Sequence, residues 1–348
     1  MFDTRRRATL PRAETDAILA NWQLGDYRLR QLTGGSSRSI FMVHTVSDEL
    51  VLRREEGDER EWVDLQMSVL RRLQEKNFPY ETPQIVPTCD AAEYYFDGSD
   101  YWYLYKFIRG TPALEPNNDR RAAELGRLVG NFAKATDGFA AATSPPLYGL
   151  DLYRVDGGSA RLMAALERLE EAGSAPGLER LVARSLDPIL RAYAEISAAE
   201  IAATSSLAVT AAYYDWNNKN IICRRGRVSG LIDYDSLAEA PRLVDFQNAL
   251  TYVIVGKEAT DRGMMAAFAA AYNAVAPLSS IETALLRPLM IDRAIALLCD
   301  LLERLGEGYS RDRETRARRI VRMLHWLAGN RDALVELVTP RPLSPGAC

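Results

Sequence analysis

The chain has 348 residues, of which 47% are hydrophobic and 26% are charged. Because a single hydrophobic core rarely keeps growing beyond about 250 to 300 residues, this length favours two lobes or domains. The formal net charge of −4, from 43 basic and 47 acidic side chains, argues against nucleic-acid binding through bulk charge and against a disordered acidic chain, and it favours a discrete ligand pocket.

The N-terminal residues Met1 to Arg7 are basic, but no apolar stretch that could form the hydrophobic part of a secretion signal follows them. The most apolar later run, Met264 to Leu278, is interrupted by Asn273 and Pro277. It is also shorter than the ~20 residues that a membrane-spanning helix needs. We therefore expect a cytoplasmic protein that does not cross a membrane.

The first third of the chain is rich in β-strand signals. The predicted strands are Tyr27–Leu32, Ser39–Thr45, Leu50–Arg54, Cys89–Phe96 and Tyr101–Ile108. Asp97-Gly98-Ser99-Asp100 predicts a hairpin turn between the last two strands. One helix is predicted over Glu61–Lys76, because its leucine and valine residues recur at helical spacing.

The remaining two thirds are rich in alanine and leucine and predict mostly helices. Asp187-Pro188 has the pattern of a helix N-cap followed by proline at the first helical position. Ser279-Ser280-Ile281-Glu282 has the spacing of a capping box at the start of another helix. One β-rich interruption, from Asn220 to Asp233, predicts a short hairpin within this helical part.

The chain has only two histidines, His44 and His325. Neither lies beside a cluster of acidic residues or cysteines, which argues against a histidine-rich zinc site, and a histidine-dependent hydrolase would have to use one of these two. The simpler interpretation is an incidental strand histidine and an incidental helix-face histidine. The four cysteines lack CxxC spacing and are typical of reduced thiols.

Polar residues that suit phosphoryl-transfer chemistry are concentrated between residues 213 and 245. The loop Tyr213–Asn220 is followed by two predicted strands, and the second strand leads to Asp233. A tight hairpin would bring Asp215, Asn220 and Asp233 to one end of the sheet. One carboxylate can then orient a hydroxyl, while the amide and the second carboxylate hold Mg²⁺, which prefers oxygen ligands.

This segment resembles the aminoglycoside phosphotransferase and choline kinase-like enzymes, and within them the homoserine kinase-like branch. The family's catalytic loop reads His-x-Asp, four residues and Asn, followed by a hairpin and Ile-Asp-Phe or Ile-Asp-Trp. Asp215 and Asn220 have the same spacing, and Ile232-Asp233-Tyr234 falls at the position of the metal aspartate. Asp245 falls at the family's later structural aspartate.

The resemblance implies an α+β, two-lobed protein-kinase-like fold. Residues 1–108 would form the nucleotide-binding N-lobe, a small antiparallel β-sheet with one helix, and residues 109–348 the larger, mainly helical catalytic and acceptor-binding C-lobe. It also implies an ATP-dependent kinase that uses Mg²⁺ and transfers the γ-phosphate to a hydroxyl of a small molecule, or of Ser or Thr in a peptide. A peptide acceptor would imply a partner enzyme, whereas no nucleic-acid or membrane partner is expected.

The resemblance also assigns roles to individual residues. Asp215 would accept or orient the acceptor proton, and Asn220 and Asp233 would be the metal ligands. Lys219 lies one residue before Asn220 and either contacts the γ-phosphate or is a solvated loop lysine. Asp235 either lies near a second metal ion or caps the turn that follows.

The nucleotide side offers a glycine-serine loop and a strand cation. The loop contains Gly34, Gly35, Ser36 and Ser37. It resembles the family's phosphate-covering loop, although such a hairpin is as often a simple turn. None of the five lysines can supply the cation that the family places at the end of the third strand, so Arg53 is the candidate and Arg54 the fallback, because strand alternation puts only one of them in the cleft. The alternative is a surface arginine at a strand end.

Two further features belong to the expected nucleotide site. Gln66 stands where the family's glutamate pairs with the strand cation, unless the helix shifts and Glu61 serves instead. The segment with Tyr105, Phe107 and Ile108 resembles the hinge between the lobes, whose backbone groups select adenine. The alternative is a buried edge strand that binds no ligand.

The chain departs from the family at Tyr213 and Tyr214, which replace the histidine and the glycine before the catalytic aspartate. That histidine is not the proton acceptor, so its loss does not by itself remove the chemistry, whereas loss of the glycine is expected to shift the loop. The alternative function is a catalytically weak pseudokinase that acts as a nucleotide- or peptide-binding partner. The arginine-rich segment Arg311–Arg322 either attracts an acidic substrate or is a solvated helix face.

Overall fold

The computed structural model describes residues 12–32, 40–57, 59–112, 114–141, 158–196, 200, 203, 206–255 and 261–339. A helix, α1 (Arg12–Leu19), precedes the first sheet. The strands of this sheet are β1 (Tyr27–Gln31), β2 (Ile40–Thr45), β3 (Glu49–Glu56), β4 (Ile85–Val86), β5 (Tyr95–Phe96) and β6 (Asp100–Lys106). All pairings are antiparallel, in the order β1-β2-β3-β6-β4, and β5 also pairs with β6.

The two faces of β3 have different neighbours because successive side chains of a strand point to opposite faces. Leu50 and Leu52 pack in the apolar cluster that includes Trp102 and, from α1, Ile18 and Leu19. Arg53 and Glu55 are also buried, but they lie on the opposite face of the sheet. The sheet therefore buries a charged pair on the face that does not carry α1.

The predicted elements of this region are confirmed except for one strand. The predicted helix is α2 (Arg60–Glu75), and β5 and β6 flank the predicted turn, in which Gly98 has a φ of +95°. Of the predicted strand Cys89–Phe96, only the last two residues are β-structure. Its first half is instead a tight turn, in which Thr88 donates to the Ala92 carbonyl and Ala91 adopts a φ of +61°.

The rest of the chain is mainly helical, as predicted. The helices are α3 (Asp119–Ala135), α4 (Gly158–Ala172), α5 (Pro176–Ala194), α6 (Leu243–Val255), α7 (Arg262–Asn273), α8 (Ser280–Glu307), α9 (Arg311–Gly329) and α10 (Arg331–Val338). Their buried faces share one continuous hydrophobic core. The arginine-rich segment lies in α9, on which Arg311, Arg316 and Arg322 are exposed.

One predicted helix start is confirmed and one is wrong. Ser279 and Glu282 form a complete capping box at the N-terminus of α8. Pro188, by contrast, lies inside α5, which already begins at Pro176. A proline there removes its own N–H and leaves the carbonyl four residues earlier without that donor, and this residue, Arg184, is exposed to solvent.

Short strands interrupt the helical part and position its loops. They are β7 (Thr111–Pro112), β8 (Val209–Ala212), β9 (Ile221–Arg224), β10 (Arg227–Leu231) and β11 (Ala238–Pro241). The predicted hairpin is β9–β10, joined at its edge by β7. The β8–β11 pair was not predicted, because its alanine-rich strands carry weak β-strand signals. Both loops that carry the candidate site residues run between the hairpin and this pair.

Candidate active site

Asp215 lies in the loop between β8 and β9, where two amides orient its carboxylate. Asn217 Nδ2 donates to Oδ1 at 2.7 Å, and Asn220 Nδ2 donates to Oδ2 at 2.9 Å. Asn220 Nδ2 also lies 3.1 Å from the Asp215 carbonyl oxygen. Because neutral amides hold the carboxylate, its orientation is fixed without a cation beside it. The carboxylate is therefore suited to accept a hydrogen bond from an alcohol.

A second carboxylate, that of Asp245, fixes the backbone immediately before Asp215. The Tyr213 N–H donates to Asp245 Oδ2 at 2.8 Å, and the Tyr214 N–H donates to Oδ1 at 2.7 Å. Asp245 is only 1% exposed, and burial raises its pKa to about 6 although the two backbone donors act in the opposite direction. Its role is to hold the loop, and it lies in the first turn of α6.

Tyr213 links the two functional loops. Its side chain is fully buried, and its ring packs against Trp216 and Tyr234. Burial raises the pKa of Tyr213 well above its usual range, so the phenol remains a hydrogen-bond donor. The hydroxyl donates to the carbonyl of Ile232, the residue before Asp233. Tyr213 thus joins the Asp215 loop to the Asp233 loop.

Tyr214 occupies a backbone conformation that favours glycine. Its φ is +73°, in the left-handed region, which costs a non-glycine residue about 1 kcal/mol or more. Asn248 Nδ2 donates to its carbonyl at 3.2 Å, and Asp245 accepts its N–H. The tyrosine therefore does not displace the loop from this conformation. Its ring lies under the guanidinium of Arg293 from α8, with 4.4 Å between Cζ and the ring centroid.

Arg53 and three carboxylates form a cluster that joins β3 to the loop after β10. Arg53 Nε donates to Glu55 Oε1 at 2.8 Å, and Nη1 donates to Asp233 Oδ1 at 3.1 Å. The remaining terminal nitrogen contacts Asp235 Oδ1. Burial raises the pKa of Asp233 and the neighbouring Asp235 raises it further, whereas Arg53 lowers it. Arg54 points to the other face of β3, where its Nη2 lies 2.6 Å from Asp100 Oδ2.

Glu55 is the carboxylate partner of Arg53 that sequence reasoning missed. The available signal was strand alternation, because a residue two positions along a strand lies on the same face. The Tyr103 hydroxyl bridges Glu55 and Gln66, at 3.0 Å from a side-chain oxygen of each. Gln66 therefore lies near the cluster without contacting Arg53 directly. Glu61 is exposed on α2.

The predicted hinge segment follows the end of β6. The Phe107 N–H donates to the Glu49 carbonyl at 2.9 Å, so this group is used within the fold. Ile108 is buried beside Gly230, where an added Cβ would come within 3.0 Å of Ile108 Cγ2. Burial raises the pKa of Tyr105 to about 12. A role for Tyr105, Phe107 and Ile108 in binding adenine stays a prediction.

For two other predicted site elements, the glycine-serine loop and Lys219, the structure gives few or no contacts. The loop of Gly34, Gly35, Ser36 and Ser37 lies outside the described residues. Lys219 is exposed, and its backbone N–H donates to Asn217 Oδ1 at 2.8 Å. The exposed position agrees with a solvated loop lysine and leaves contact with a phosphate as a prediction.

The oxygen atoms near Asp233 suit a hard divalent cation. Among the described residues no three His, Cys, Asp or Glu side chains form a metal-binding cluster. The side chains of Asn220, Asp233 and Asp235 nevertheless offer oxygen atoms that could bind a cation. Asn220 uses its nitrogen toward Asp215, which leaves its Oδ1 for a cation. The Asp233 side chain is 40% exposed despite its contact with Arg53. This donor set fits Mg²⁺, which is often bound by few protein ligands together with phosphate oxygens.

Comparisons with known proteins identify the family and the fold. The model of the phosphotransferase enzyme family matches residues 28–278. An aminoglycoside phosphotransferase from Alicyclobacillus acidocaldarius has a similar structure, with a TM-score of 0.72 and 16% identity over 97% of this chain and 98% of the other. An amicoumacin kinase solved with AMP-PNP and Ca²⁺ has a TM-score of 0.60 and 13% identity, over 90% of this chain and 92% of the other. These structures share the predicted two-lobed, protein-kinase-like α+β fold, which is thereby confirmed.

A spectinomycin phosphotransferase solved with ADP and spectinomycin is also similar, with a TM-score of 0.56 and 13% identity over 90% of this chain and 97% of the other. A search of curated proteins gives no match. In the part of the chain that the structure describes, the helices are too short or too polar to cross a bilayer.

Proposed function

Because the chain belongs to the phosphotransferase enzyme family and is therefore an ATP-dependent kinase with an alcohol group as acceptor, we propose that Asp215 is its catalytic base and that the acceptor is a small molecule. The observation that carries this proposal is the orientation of the Asp215 carboxylate by Asn217 and Asn220, next to the loop of Asp233. Two similar enzymes, an amicoumacin kinase and a spectinomycin phosphotransferase solved with spectinomycin, support a small-molecule acceptor rather than a peptide.

In the proposed reaction, the acceptor hydroxyl oxygen forms a bond to the γ-phosphorus of ATP while the bond from that phosphorus to the β,γ-bridging oxygen breaks. Asp215 accepts the hydroxyl proton and ADP leaves with the electron pair of the broken bond. Asn217 and Asn220 keep the carboxylate directed at the hydroxyl. Catalysis of phosphoryl transfer consists mainly of positioning and electrostatic stabilisation, and this loop contributes positioning.

On the nucleotide side, we assign Arg53 and the sheet of residues 1–108 to ATP, and residues 109–348 to catalysis and acceptor binding. Arg53 keeps its charge, because the surrounding groups raise its pKa above the ordinary value although burial acts to lower it. Its planar guanidinium can bridge the loop carboxylates and nucleotide phosphate oxygens. The loop of Gly34, Gly35, Ser36 and Ser37 would cover the phosphates.

Asn220 and Asp233 would hold Mg²⁺, with Asp235 close by. When bound there, the ion would neutralise negative charge on the phosphates. The contact of Arg53 with both aspartates brings a second positive charge to the same place. The protein itself would then contribute the oxygen ligands and a fixed cation, and both favour the triphosphate.

The proposal is tested by Asp233→Asn in the full-length chain. Formation of ADP from ATP and transfer of label from [γ-³²P]ATP to a panel of alcohols should fall at least ~10³-fold, because loss of a metal ligand weakens phosphate neutralisation worth several kcal/mol. Asp187→Asn, at an exposed position of α5, is the matched control and should keep full turnover. Circular dichroism and thermal melting check that both variants fold. Unchanged turnover in Asp233→Asn would contradict the assignment, and binding of ATP without turnover in the parent chain would favour a pseudokinase.

A further inference from the structure

Arg293 differs from the other arginines around the catalytic loop in its partners. It projects from α8 toward Tyr214, and its Nη1 contacts the Tyr214 hydroxyl. Within the described residues no carboxylate lies within ion-pair distance of its guanidinium. By contrast, Arg242 lies 2.8 Å from a Glu282 oxygen, and Arg53 has three carboxylate partners. In the described part of the protein, Arg293 is therefore a cation without a carboxylate at ion-pair distance.

The surroundings of Arg293 indicate which kind of ligand its guanidinium could bind. Its side chain is half-buried, so the guanidinium has lost part of its hydration. The Tyr214 ring gives cation–π stabilisation, but it carries no formal charge. A guanidinium has five N–H donors, and only one of them contacts the Tyr214 hydroxyl. The remaining donors are suited to an anionic group, which they can bind in a bidentate manner.

The position of Arg293 points to the acceptor rather than to the nucleotide. Tyr214 directly precedes Asp215, and consecutive Cα atoms are only about 3.8 Å apart. The cation assigned to the triphosphate, Arg53, contacts the other functional loop, at Asp233 and Asp235. Arg293 reaches the catalytic loop from α8 instead, which belongs to the helical part assigned to the acceptor.

The backbone of Tyr214 supports the same conclusion. Its φ of +73° would be free of strain for glycine, and a tyrosine accepts the strain. Asp245 and Asn248 hold this conformation through hydrogen bonds to the Tyr214 main chain. The result is an aromatic ring fixed beneath Arg293. The strained residue thus positions a cation beside the residue that precedes Asp215.

We propose that Arg293 binds an anionic group of the acceptor, so that the alcohol phosphorylated by this enzyme carries a carboxylate or a phosphate close to its hydroxyl. This inference rests on the proposed function and extends it to a substrate class. Arg293 is a specificity-determining residue in this view, and Tyr214 is a positioning residue that acts through it.

Transfer to matched probes tests the inference. The full-length chain, with Mg²⁺ and [γ-³²P]ATP, is given glycerol, D-glycerate or glycerol 3-phosphate, which share a small polyol skeleton and differ in the anionic group. We expect kcat/KM to be at least ~10-fold higher for one anionic probe than for glycerol, as for one charge-assisted hydrogen-bonded pair. Preference for D-glycerate identifies a carboxylate as the ligand, and preference for glycerol 3-phosphate identifies a phosphate.

Variants assign the preference to Arg293. Arg293→Gln should bring the ratio of kcat/KM values close to one, mainly through a higher KM for the anionic probe. Arg293→Lys should keep part of the preference, because an ammonium keeps the charge but lacks the fork geometry. Tyr214→Phe keeps the ring but removes the hydroxyl, so we expect a several-fold higher KM with little change in kcat. Arg316→Gln, at an exposed position of α9, is the control and should keep the preference.

Binding gives a second readout that does not depend on turnover. Calorimetry with AMP-PNP present should show the preferred anionic probe binding at least ~10-fold more weakly to Arg293→Gln than to the parent chain. A parent chain that neither phosphorylates nor binds the two anionic probes better than glycerol overturns the inference, and so does an Arg293→Gln variant that keeps the preference. Failure of the parent chain to hydrolyse ATP or transfer its phosphate would instead refute the proposed function, while Arg293-dependent anion binding would still support the anion site.

Discussion

Two arginines flank the loop that contains Asp215, and they differ in the groups that they contact. Arg53, on the sheet side, is 4% exposed and contacts Glu55, Asp233 and Asp235. Arg293, on the helical side, contacts a tyrosine. The comparison teaches that the cation on the sheet side already has carboxylate partners within the protein, whereas the cation on the helical side has donors left for an anionic ligand, as proposed above.

Asp292, next to Arg293 on α8, is a buried carboxyl with few polar contacts. It is 6% exposed, and its Oδ1 lies 3.4 Å from the Tyr193 hydroxyl. Its Oδ2 has no hydrogen-bond partner among the described residues. Burial raises the pKa of Asp292 to about 6. Asp292 is therefore a buried carboxyl whose ionisation costs the folded protein stability.

Among the variants that test this comparison, the largest effect is expected at Asp215, the residue between the two sides. Asp215→Asn should lower kcat at least ~10²-fold and leave the Kd for ATP nearly unchanged, because a base that orients the acceptor acts on the transition state. Asparagine keeps the size of the side chain, so the loop should stay folded. Steady-state kinetics with a proven acceptor and calorimetry with AMP-PNP measure the two quantities. Near-parental kcat would show that another group orients the hydroxyl.

The nucleotide side is tested by a pair of neighbouring arginines on β3. Arg53→Ala should raise the KM for ATP ~10-fold or more, because it removes the cation that reaches the Asp233 loop. Arg54→Ala is the matched control and should change KM little, since Arg54 points to Asp100 on the opposite face. Both values come from ATP titrations of transfer rates.

Equal affinity for ATP in the parent and both arginine variants would contradict a role of Arg53 in ATP binding. Arg53 would then only hold the sheet against the loop. A urea titration separates this case. Removal of Arg53 leaves the buried Glu55 without its cation, so Arg53→Ala should also lose stability, and Arg53→Ala with Glu55→Gln should recover part of it.

How far the sequence predicted the site depends on whether a contact is local. Asp215, Asn220 and Asp233 lie just before and just after one hairpin, so the motif itself predicted their proximity. Strand alternation allowed only one of Arg53 and Arg54 to be the strand cation. The Tyr213 contact with Ile232 depends on the buried path of a side chain between two loops. Such a contact leaves no pattern in the sequence.

Long-range contacts were beyond prediction for the same reason. Arg293 lies 79 positions from Tyr214 in the sequence, and their contact depends on how α8 packs across the catalytic loop. Helical periodicity identifies the apolar face of such a helix but not the residue that a partly polar position will meet. Glu55 is the exception, because its position two residues from Arg53 was visible in the sequence.

The link between the two loops is tested by a pair of buried tyrosines. Tyr213→Phe removes the donor to the Ile232 carbonyl and should lower the free energy of unfolding by about 1 to 2 kcal/mol. Tyr272→Phe is the control, because the buried Tyr272 hydroxyl has no hydrogen-bond partner among the described residues, so its removal should be neutral or stabilising. Urea titrations measure both. Tyr213→His, which restores the family's residue, should keep catalytic activity.

At Asp292 we expect an effect on the free energy of unfolding alone, and this effect depends on pH. A carboxyl whose pKa rises from 3.8 in the unfolded chain to about 6 in the folded protein binds its proton more tightly when folded. Its favourable contribution is therefore complete below about pH 4 and is lost as the pH rises through about 6. Asp292→Asn removes this loss, so at pH 8 the variant should be more stable than the parent by up to about 3 kcal/mol, with no such advantage at pH 4. Asp245→Asn is the contrasting variant: burial also raises the pKa of Asp245 to about 6, but its oxygens accept two backbone N–H groups, so an amide should destabilise the protein at both pH values. Urea midpoints at pH 4 and pH 8 measure these differences, and an advantage of Asp292→Asn that is equal at both pH values would show that Asp292 does not titrate as a buried, poorly paired group.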